Sequence, residues 1–483
     1  MNLDLLCSPF EFLQSVSSHV ATYDWLKLYQ TWWQQQGQGI SDGVDRAGTV
    51  GLRMFDRFGA RVDEICYSPE YWKMLRRGYS DGILWRAFEQ NSLLPAFLGI
   101  YVTSFFDPGL ACPYTVSLGT AAPFSKYGDA ELVQALLPRL LVKDETVWQG
   151  ATWMTEIKGG SDLGATVETV AVKHGTGWHL NGDKYFASNA GAELAVVGAR
   201  PEGAPKNVRG LALFLVPRYR RDGKLNYFIR RLKDKIATRS VPTGEIELRD
   251  SEAWLLGEAQ AGIYLILEVL NLSRVANSMG SVALAQRAIA DALSFAQQRM
   301  VFGKPLAEQP LATRQFDERV QKLRAGAKLA WLAVTLADEV WREKPPYSDR
   351  YHLFRLVTHL AKYWTAELAV DAAKWGMEIH AGIGTLAEFR AERWLREAMI
   401  LDIWEGPPHR QILDGLEVID RKKAHRLLFD LLSASAPVPG LKEMESRIEQ
   451  HLEMPSEERE AKAEQLFASL ASFTADVLRR SDS

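Results

Sequence analysis

The sequence predicts an α+β multidomain fold: an N-terminal helical domain, a middle antiparallel β-barrel or sandwich domain, and a C-terminal four-helix bundle. Three observations carry this. Apolar residues recur at helical spacing through much of residues 1–147, the texture changes at Trp148 to short β-branched runs broken by Gly, Asn and Pro, and the 3.6-residue period returns from Ala261. The expected boundaries are 1–147, 148–257 and 258–425, followed by a helical acidic extension over 426–483. With 483 residues, 47% hydrophobic and 24% charged, the chain has the composition of a globular protein with room for two or three domains.

In the first block the helical pattern runs from Pro9 to about Gln36 and reappears around Pro69 to Arg77, Gly82 to Gln90 and Asp129 to Leu141. Phe55 to Leu75 is rich in both charge and aromatics, which marks surface or interface. In the second block HGTG and NGD read as hairpin turns, Asn181-Gly182 being a strong local signal. The third block holds long helical patterns over Ile263 to Arg299, Leu311 to Glu343, Ser348 to Gly376 and Leu386 to Leu401, with a return helix after Pro408. From Leu441 onward ten acids face six bases, which suits a solvated or interface helix pair.

A net charge of -3 gives the whole protein no pull toward nucleic acid or an anionic membrane. Positive charge is concentrated between Pro217 and Arg239, where nine bases meet only Asp222 and Asp234; a solvated hairpin face and an anion contact both fit. Cys7, Cys66 and Cys112 are too few and too scattered for a disulfide framework or a metal site. The N-terminus lacks a signal-peptide pattern, and no window approaches the ~20 apolar residues that span a bilayer, so a cytoplasmic protein without a membrane partner is expected.

Chemistry concentrates in Trp153 to Gly164, WMTEIKGGSDLG. An extended apolar lead-in ends in the Thr155 hydroxyl, then Gly159 and Gly160, which allow close backbone approach, then Ser161 and Asp162. The same residues suit an ordinary strand-to-turn junction. The partners of this stretch elsewhere in the chain favour a ligand site.

MTEIKGGSDLGA, NGDKYFASNAGAE, RLKDKIATRSVPTGEIEL, WLLGEAQAGIYLIL, the long run from SRVANSMG to FGKPLAEQPL, and IWEG stand in a fixed order. In that order and spacing the chain resembles the acyl-CoA dehydrogenase superfamily over about residues 50–425. FDRFGARVDEICYSPEYWKML, ACPYTVSLGTAA and FGKPLAEQPL look most like its AidB-like, alkylation-response branch.

The resemblance implies FAD. Thr155, with Met154 beside it, would meet the pyrimidine edge of the flavin; Ser188 would meet the N5 region, and Phe186 would cover one face. Ser161 would lie where FAD and the acyl ligand diverge. Arg299, Phe302 and Gln309 match the element that reaches the FAD of a neighbouring subunit, and Gly382 in AGIGT matches a loop along the adenosine half. A homo-oligomer, dimer or tetramer, with shared FAD sites follows.

Glu405 in IWEG is the expected base, since a partly desolvated carboxylate can take the weakly acidic proton beside a thioester carbonyl. Some relatives place the base where this chain has Ser273, whose hydroxyl cannot serve. Arg274, Asn271 and Gly406 are expected on the substrate side. Three positions depart from the family pattern: Asn271 stands for an aspartate, Pro407 for a threonine and Glu378 for a glutamine, which puts the ordinary CoA thioester in question.

The expected activity is therefore an FAD-dependent α,β-dehydrogenation of an acyl thioester carried by CoA or an acyl-carrier protein, with electrons passed to an electron-transfer flavoprotein or another acceptor. Two alternatives keep the flavin. One is AidB-like association with nucleic acid, which the basic stretch favours and the acidic tail opposes; the other is an oxidase or monooxygenase.

Overall fold

The computed structural model describes residues 2–434 and 437–480. The chain divides into two compact units, one of residues 31–273 and one that joins 1–30 to 274–483.

The first unit contains a hairpin that helical periodicity did not anticipate, β1 (Gly51–Phe55) paired with β2 (Arg61–Cys66). Its tip accounts for the aromatic and charged texture of that stretch, because Phe55 and Phe58 are exposed. Helix α1 (Pro69–Asp81) follows; the Ser68 hydroxyl accepts from the Tyr71 amide at 3.1 Å and Pro69 opens the first turn. Next come α2 (Leu94–Phe106), buried at every position, and α3 (Ala111–Tyr127), buried at nearly all. Helices apolar on all sides are interior by necessity.

The rest of this unit is a β domain: β3 (Gly150–Trp153), β4 (Val170–His174), β5 (Gly177–Ser188), β6 (Leu194–Pro201), β7 (Ala212–Pro217), β8 (Phe228–Leu232) and β9 (Thr243–Leu255). The order β6-β4-β5-β9-β7 returns to β6 and closes a five-stranded barrel, with β3 beside β6 and β8 beside β9. Trp153, Ala195, Phe214, Tyr227 and Ile246 fill its interior. The expected all-antiparallel sheet is corrected here: β3 and β4 both run parallel to β6. Alternation of side chains reveals which face a residue takes, and it is silent on strand direction.

The second turn is corrected too. HGTG does join β4 to β5, but Asn181-Gly182 lies inside β5, where the register against β9 shifts. Gly182 has φ +151, and a Cβ there would meet Thr169 at 2.6 Å, so this glycine serves a bulge and a close approach instead of a reversal.

In the second unit the long helices expected from periodicity are present: α4 (Gly262–Gln298, which begins in the first unit and enters this one at Arg274), α5 (Pro310–Val340), α6 (Asp349–His380) and α7 (Ala391–Ile403). They are joined by α8 (Pro408–Lys422), α9 (Ala424–Ser433), α10 (Leu441–Glu453) and α11 (Ala463–Arg480). Helix α6 is central, packing against α5, α7, α8, α9 and α11. The first thirty residues belong here as well, since Gln286 Nε2 donates to the Leu6 carbonyl at 2.9 Å and Lys328 Nζ to that of Val16 at 2.7 Å.

Of the solvated and interface alternatives for the tail, the solvated one is corrected by α11, whose Leu466, Phe467, Leu470 and Ala471 are buried. Phe467 packs edge-on to Tyr363 of α6, with ring centroids 5.6 Å apart, and lies so close to Gly415 of α8 that a Cβ there would collide with the ring. Among the described residues no helix is long and apolar enough to cross a membrane. Phe467→Ala should cost about 3–5 kcal/mol of stability, as large-to-small changes of fully buried aromatics do; denaturant unfolding will show this as a lowered midpoint.

Candidate functional site

In the β unit, strand β3 delivers Met154 and Thr155 to the glycine loop. The Thr155 carbonyl accepts from the Tyr185 amide at 3.0 Å, and Trp153 Nε1 donates to the Ser188 carbonyl at 3.0 Å, so the ends of β3 and β5 are stitched together. This gathers Thr155, Phe186 and Ser188. Phe186 is 54% exposed, an aromatic ring with much of its surface uncovered. The Thr155 hydroxyl has no hydrogen-bond partner among the described residues, while Ser188 Oγ lies 3.3 Å from Thr243 Oγ1. Met154 is buried with its sulfur beside Gly198, and Ser161 is exposed.

The loop holds its shape by two devices. Gly159 takes φ +124, and Gly160 lies against the Thr155 side chain with no room for a Cβ. Glu156 then turns inward, where its carboxylate accepts from the Glu168 amide at 2.7 Å, the Thr169 amide at 3.1 Å, Thr169 Oγ1 at 2.6 Å and Lys184 Nζ at 2.6 Å. Burial opposes the Glu156 charge, yet Lys184 and these hydrogen bonds outweigh it and hold the carboxyl below its usual range. Lys184, fully buried, also donates to the Gly198 carbonyl at 2.7 Å. Sequence reasoning missed this pair, although both members sit inside quoted motifs.

Asn271 and Ser273, on the first part of α4, are buried. A Cβ on Gly119 of α3 would stand 3.9 Å from Ser273 Oγ, so the serine faces a glycine of that helix.

The basic stretch is largely answered within its own sheet. Arg230 pairs with Asp183 at 2.9 Å and Glu247 at 3.1 Å, Arg231 and Lys233 share Glu245 at 2.7 and 2.5 Å, and Arg218 is buried with bonds to the Asp63 and Tyr227 carbonyls. This removes much of the support that stretch lent to a polyanion contact.

In the helical unit, Arg299 and Phe302 lie on a hairpin of β10 (Met300–Val301) and β11 (Lys304–Pro305). Phe302, at its tip with φ +49, is 99% exposed. Gln309 turns back to brace the hairpin, donating to the Val301 carbonyl at 2.8 Å. Gly382 is exposed in the Ala381–Thr385 turn.

The acidic turn of the same unit follows the last residue of α7. Glu405 has φ +59 and Gly406 φ +99, a left-handed pair that costs a glutamate strain unless its surroundings impose it. They do. Arg274 Nε donates to the Glu405 carbonyl at 3.0 Å, Gln411 Nε2 donates to the carbonyls of Glu405 at 3.0 Å and Gly406 at 2.9 Å, and Asn277 Nδ2 donates to that of Leu401 at 3.0 Å. Lys362 Nζ of α6 reaches the Asp402 carbonyl at 2.5 Å. The unpaired carbonyls of a helix end are thus met by side chains, two of them cationic, as the negative end of the helix dipole favours.

Behind this layer Arg274 bonds Asp414 at 3.2 Å, and His359 Nδ1 stands 3.0 Å from Gln411 Oε1. Burial pushes His359 down to about 3, so its ring is neutral. Glu405 itself is half-buried. Burial pushes its carboxyl up to about 7, against the opposing pull of Arg274 and Lys362. Pro407 and Pro408 open α8, where a missing amide is harmless. Sequence reasoning named Glu405, Arg274 and Gly406 but missed Gln411, His359 and Lys362.

Family models match in three consecutive pieces: Adaptive response protein AidB N-terminal domain over residues 46–144, acyl-CoA dehydrogenase middle domain over 151–251, and acyl-CoA dehydrogenase C-terminal domain over 260–419. The chain is 30% identical over 295 residues to the human mitochondrial short-chain specific acyl-CoA dehydrogenase, a match covering 60% of this chain and 67% of that protein. It is 28% identical over 450 residues to the putative acyl-CoA dehydrogenase AidB of Escherichia coli K12, covering 88% and 80%. The structure of Caenorhabditis elegans ACDH-11 in complex with C11-CoA has the same fold, with a TM-score of 0.83 over 98% of this chain and 87% of that one at 24% identity.

The Glu405 carboxyl has an ordinary value of 4.5 when unfolded and about 7 when folded. Between these values the native state retains a proton that the unfolded state has lost, so stability falls as pH rises through this window. Glu405→Gln should therefore match the parent near pH 5 and exceed it by about 1–2 kcal/mol near pH 8, allowing for residual solvent screening. Thermal unfolding across pH checks the sign.

Proposed function

The chain belongs to the acyl-CoA dehydrogenase family, and on that premise we propose that it is an FAD-dependent oxidoreductase that dehydrogenates an acyl thioester at the α,β position with Glu405 as the base. The observation that carries this reading is a half-buried carboxyl raised to about 7 in a turn whose backbone is clamped by Arg274 and Gln411. A general base works best when its affinity for protons matches the operating pH.

Members of this family bind FAD, and the residues of the β unit fit a ring with one apolar face and a polar rim. An exposed Phe186 can cover the face, while the Thr155 hydroxyl and the Ser188 hydroxyl can meet the edge. When bound, FAD supplies a hydride acceptor at N5. Gly160 lies against the Thr155 side chain and limits its movement, and Met154 beside it is buried. Arg299, Phe302 and Gly382, all exposed, are available to an FAD held by a second copy of the chain, with Gln309 holding their hairpin in shape.

The substrate side follows from the same residues. Glu405 takes the proton from the carbon beside the thioester carbonyl. Arg274 and Gln411 prevent the turn from swinging the carboxylate away, which preserves the short approach that proton transfer needs. Gly406, Ser161 and Asn271 belong to the thioester's surroundings in this reading. The carrier is CoA or an acyl-carrier protein, and the electrons leave to an electron-transfer flavoprotein or another acceptor.

Anaerobic mixing of the yellow protein with a panel of acyl-CoA thioesters should bleach the flavin with at least one of them. Glu405→Gln should keep its colour and slow bleaching by about 10²–10⁴-fold, the usual contribution of a positioned base. A wild-type protein that none of the panel bleaches refutes the reading.

A further inference from the structure

A second set of polar groups, none of them assigned to the flavin or the thioester, gathers in the first unit where the chain enters two paired strands. Strands β3 and β6 run parallel with Gly150 opposite Leu194, so the residues just before them, Gln149 and Glu193, emerge side by side. The Leu194 amide donates to the Gln149 carbonyl at 3.2 Å, and the Gln149 amide donates to Glu193 Oε2 at 2.7 Å. Helix α1 supplies more of the wall. Trp72, Arg76 and Tyr79 recur at the four- and three-residue spacing of one helix face, and with Trp148, Gln149 and Glu193 they line a recess of about 300 Å³.

Three polar groups of this lining are incompletely answered. Gln149 is 4% exposed, and its Oε1 is buried without a hydrogen-bond partner among the described residues. Arg76 Nε is buried without one as well, although the guanidinium reaches Glu145 through Nη1 at 3.2 Å and lies 5.0 Å from the centroid of the Trp72 ring. Buried polar atoms are otherwise nearly always hydrogen-bonded. The third group is Glu193, half-buried, whose carboxyl is pushed up by burial. Arg218, the cation whose charge reaches it, spends its guanidinium on the Asp63 and Tyr227 carbonyls. A glutamine at this position could accept the Gln149 amide equally well, so that hydrogen bond does not account for the charge.

An anionic acceptor and an amide oxygen beside a guanidinium with a spare N–H suit a ligand that carries an ammonium and a carboxylate together. A cation alone would be opposed by Arg76, and an anion alone by Glu193. The indoles of Trp72 and Trp148 and the ring of Tyr79 add apolar wall, the Tyr79 hydroxyl being taken up by Ser117 Oγ at 2.7 Å. The volume lies at the small end for a ligand site. We infer that this recess binds a small α-amino acid as its zwitterion, the ammonium donating to Glu193 and to Gln149 Oε1 and the carboxylate accepting from Arg76.

The test uses the full-length protein labelled with 5-fluorotryptophan, the ¹⁹F resonances of Trp72 and Trp148 being assigned by their loss in Trp72→Phe and Trp148→Phe. L-alanine added at constant ionic strength should shift both resonances saturably and with one midpoint. Ethylammonium and propionate, which carry one end each, should bind about tenfold more weakly or less, and Glu193→Gln should weaken L-alanine by about tenfold, as the loss of a hydrogen bond to a charged group does.

Resonances that L-alanine leaves unmoved overturn the proposal, as does an affinity no greater than that of ethylammonium or of propionate, or one unchanged in Glu193→Gln. The comparison of the three ligands needs no substitution at Glu193 and decides the matter even where that variant fails to fold. No acyl thioester enters the measurement, so its outcome is separate from whether acyl-CoA bleaches the flavin.

Discussion

The helical unit depends on how the end of α7 is satisfied. A helix that stops inside a protein leaves carbonyls that must find donors, and here Asn277, Lys362, Arg274 and Gln411 meet those of Leu401, Asp402, Glu405 and Gly406. These donors come from α4, α6 and α8. The same contacts that close the helix therefore lock three other helices around it, and they hold a glutamate in a backbone conformation it would otherwise avoid. Closing the helix and setting the Glu405 backbone are the work of one set of contacts.

The β unit solves an analogous problem with a buried carboxylate in place of helix-end carbonyls. Its loop after β3 leaves Ser161 exposed while Glu156 is buried, and the carboxylate is satisfied by two amides, a hydroxyl and the Lys184 ammonium. A buried ion pair with every hydrogen bond made contributes little net stability, yet losing either partner would strand a charge. Such a pair favours one loop conformation over others, the one in which Gly160 lies against the Thr155 side chain.

Much of this was legible in the sequence, and the remainder was illegible for specific reasons. The long helices follow from apolar spacing, and the grouping of Thr155, Phe186 and Ser188 follows from the two motifs of the family resemblance, although their strands β3 and β5 are not neighbours in the sheet. The parallel pairing of β6 was hidden because side-chain alternation is the same in either direction. Asn181-Gly182 misled because a glycine with positive φ serves a bulge as well as a turn. Lys362 and Asp402 are 40 positions apart, and His359 and Gln411 are 52 apart. Periodicity tells which side of a helix such residues occupy and says nothing about what meets them there. Phe467 was lost in a charge-rich tail whose acids masked its apolar stripe.

The His359 contact has a consequence for how protons can travel. Gln411 spends its amide nitrogen on two carbonyls, so its oxygen faces His359, and the neutral ring must present Nδ1–H to it. The imidazole is thereby confined to a single tautomer, and the hydrogen bonds run one way, from ring to amide to carbonyl, ending on atoms that hold no proton. Such a chain braces without conducting: it cannot serve as a proton wire.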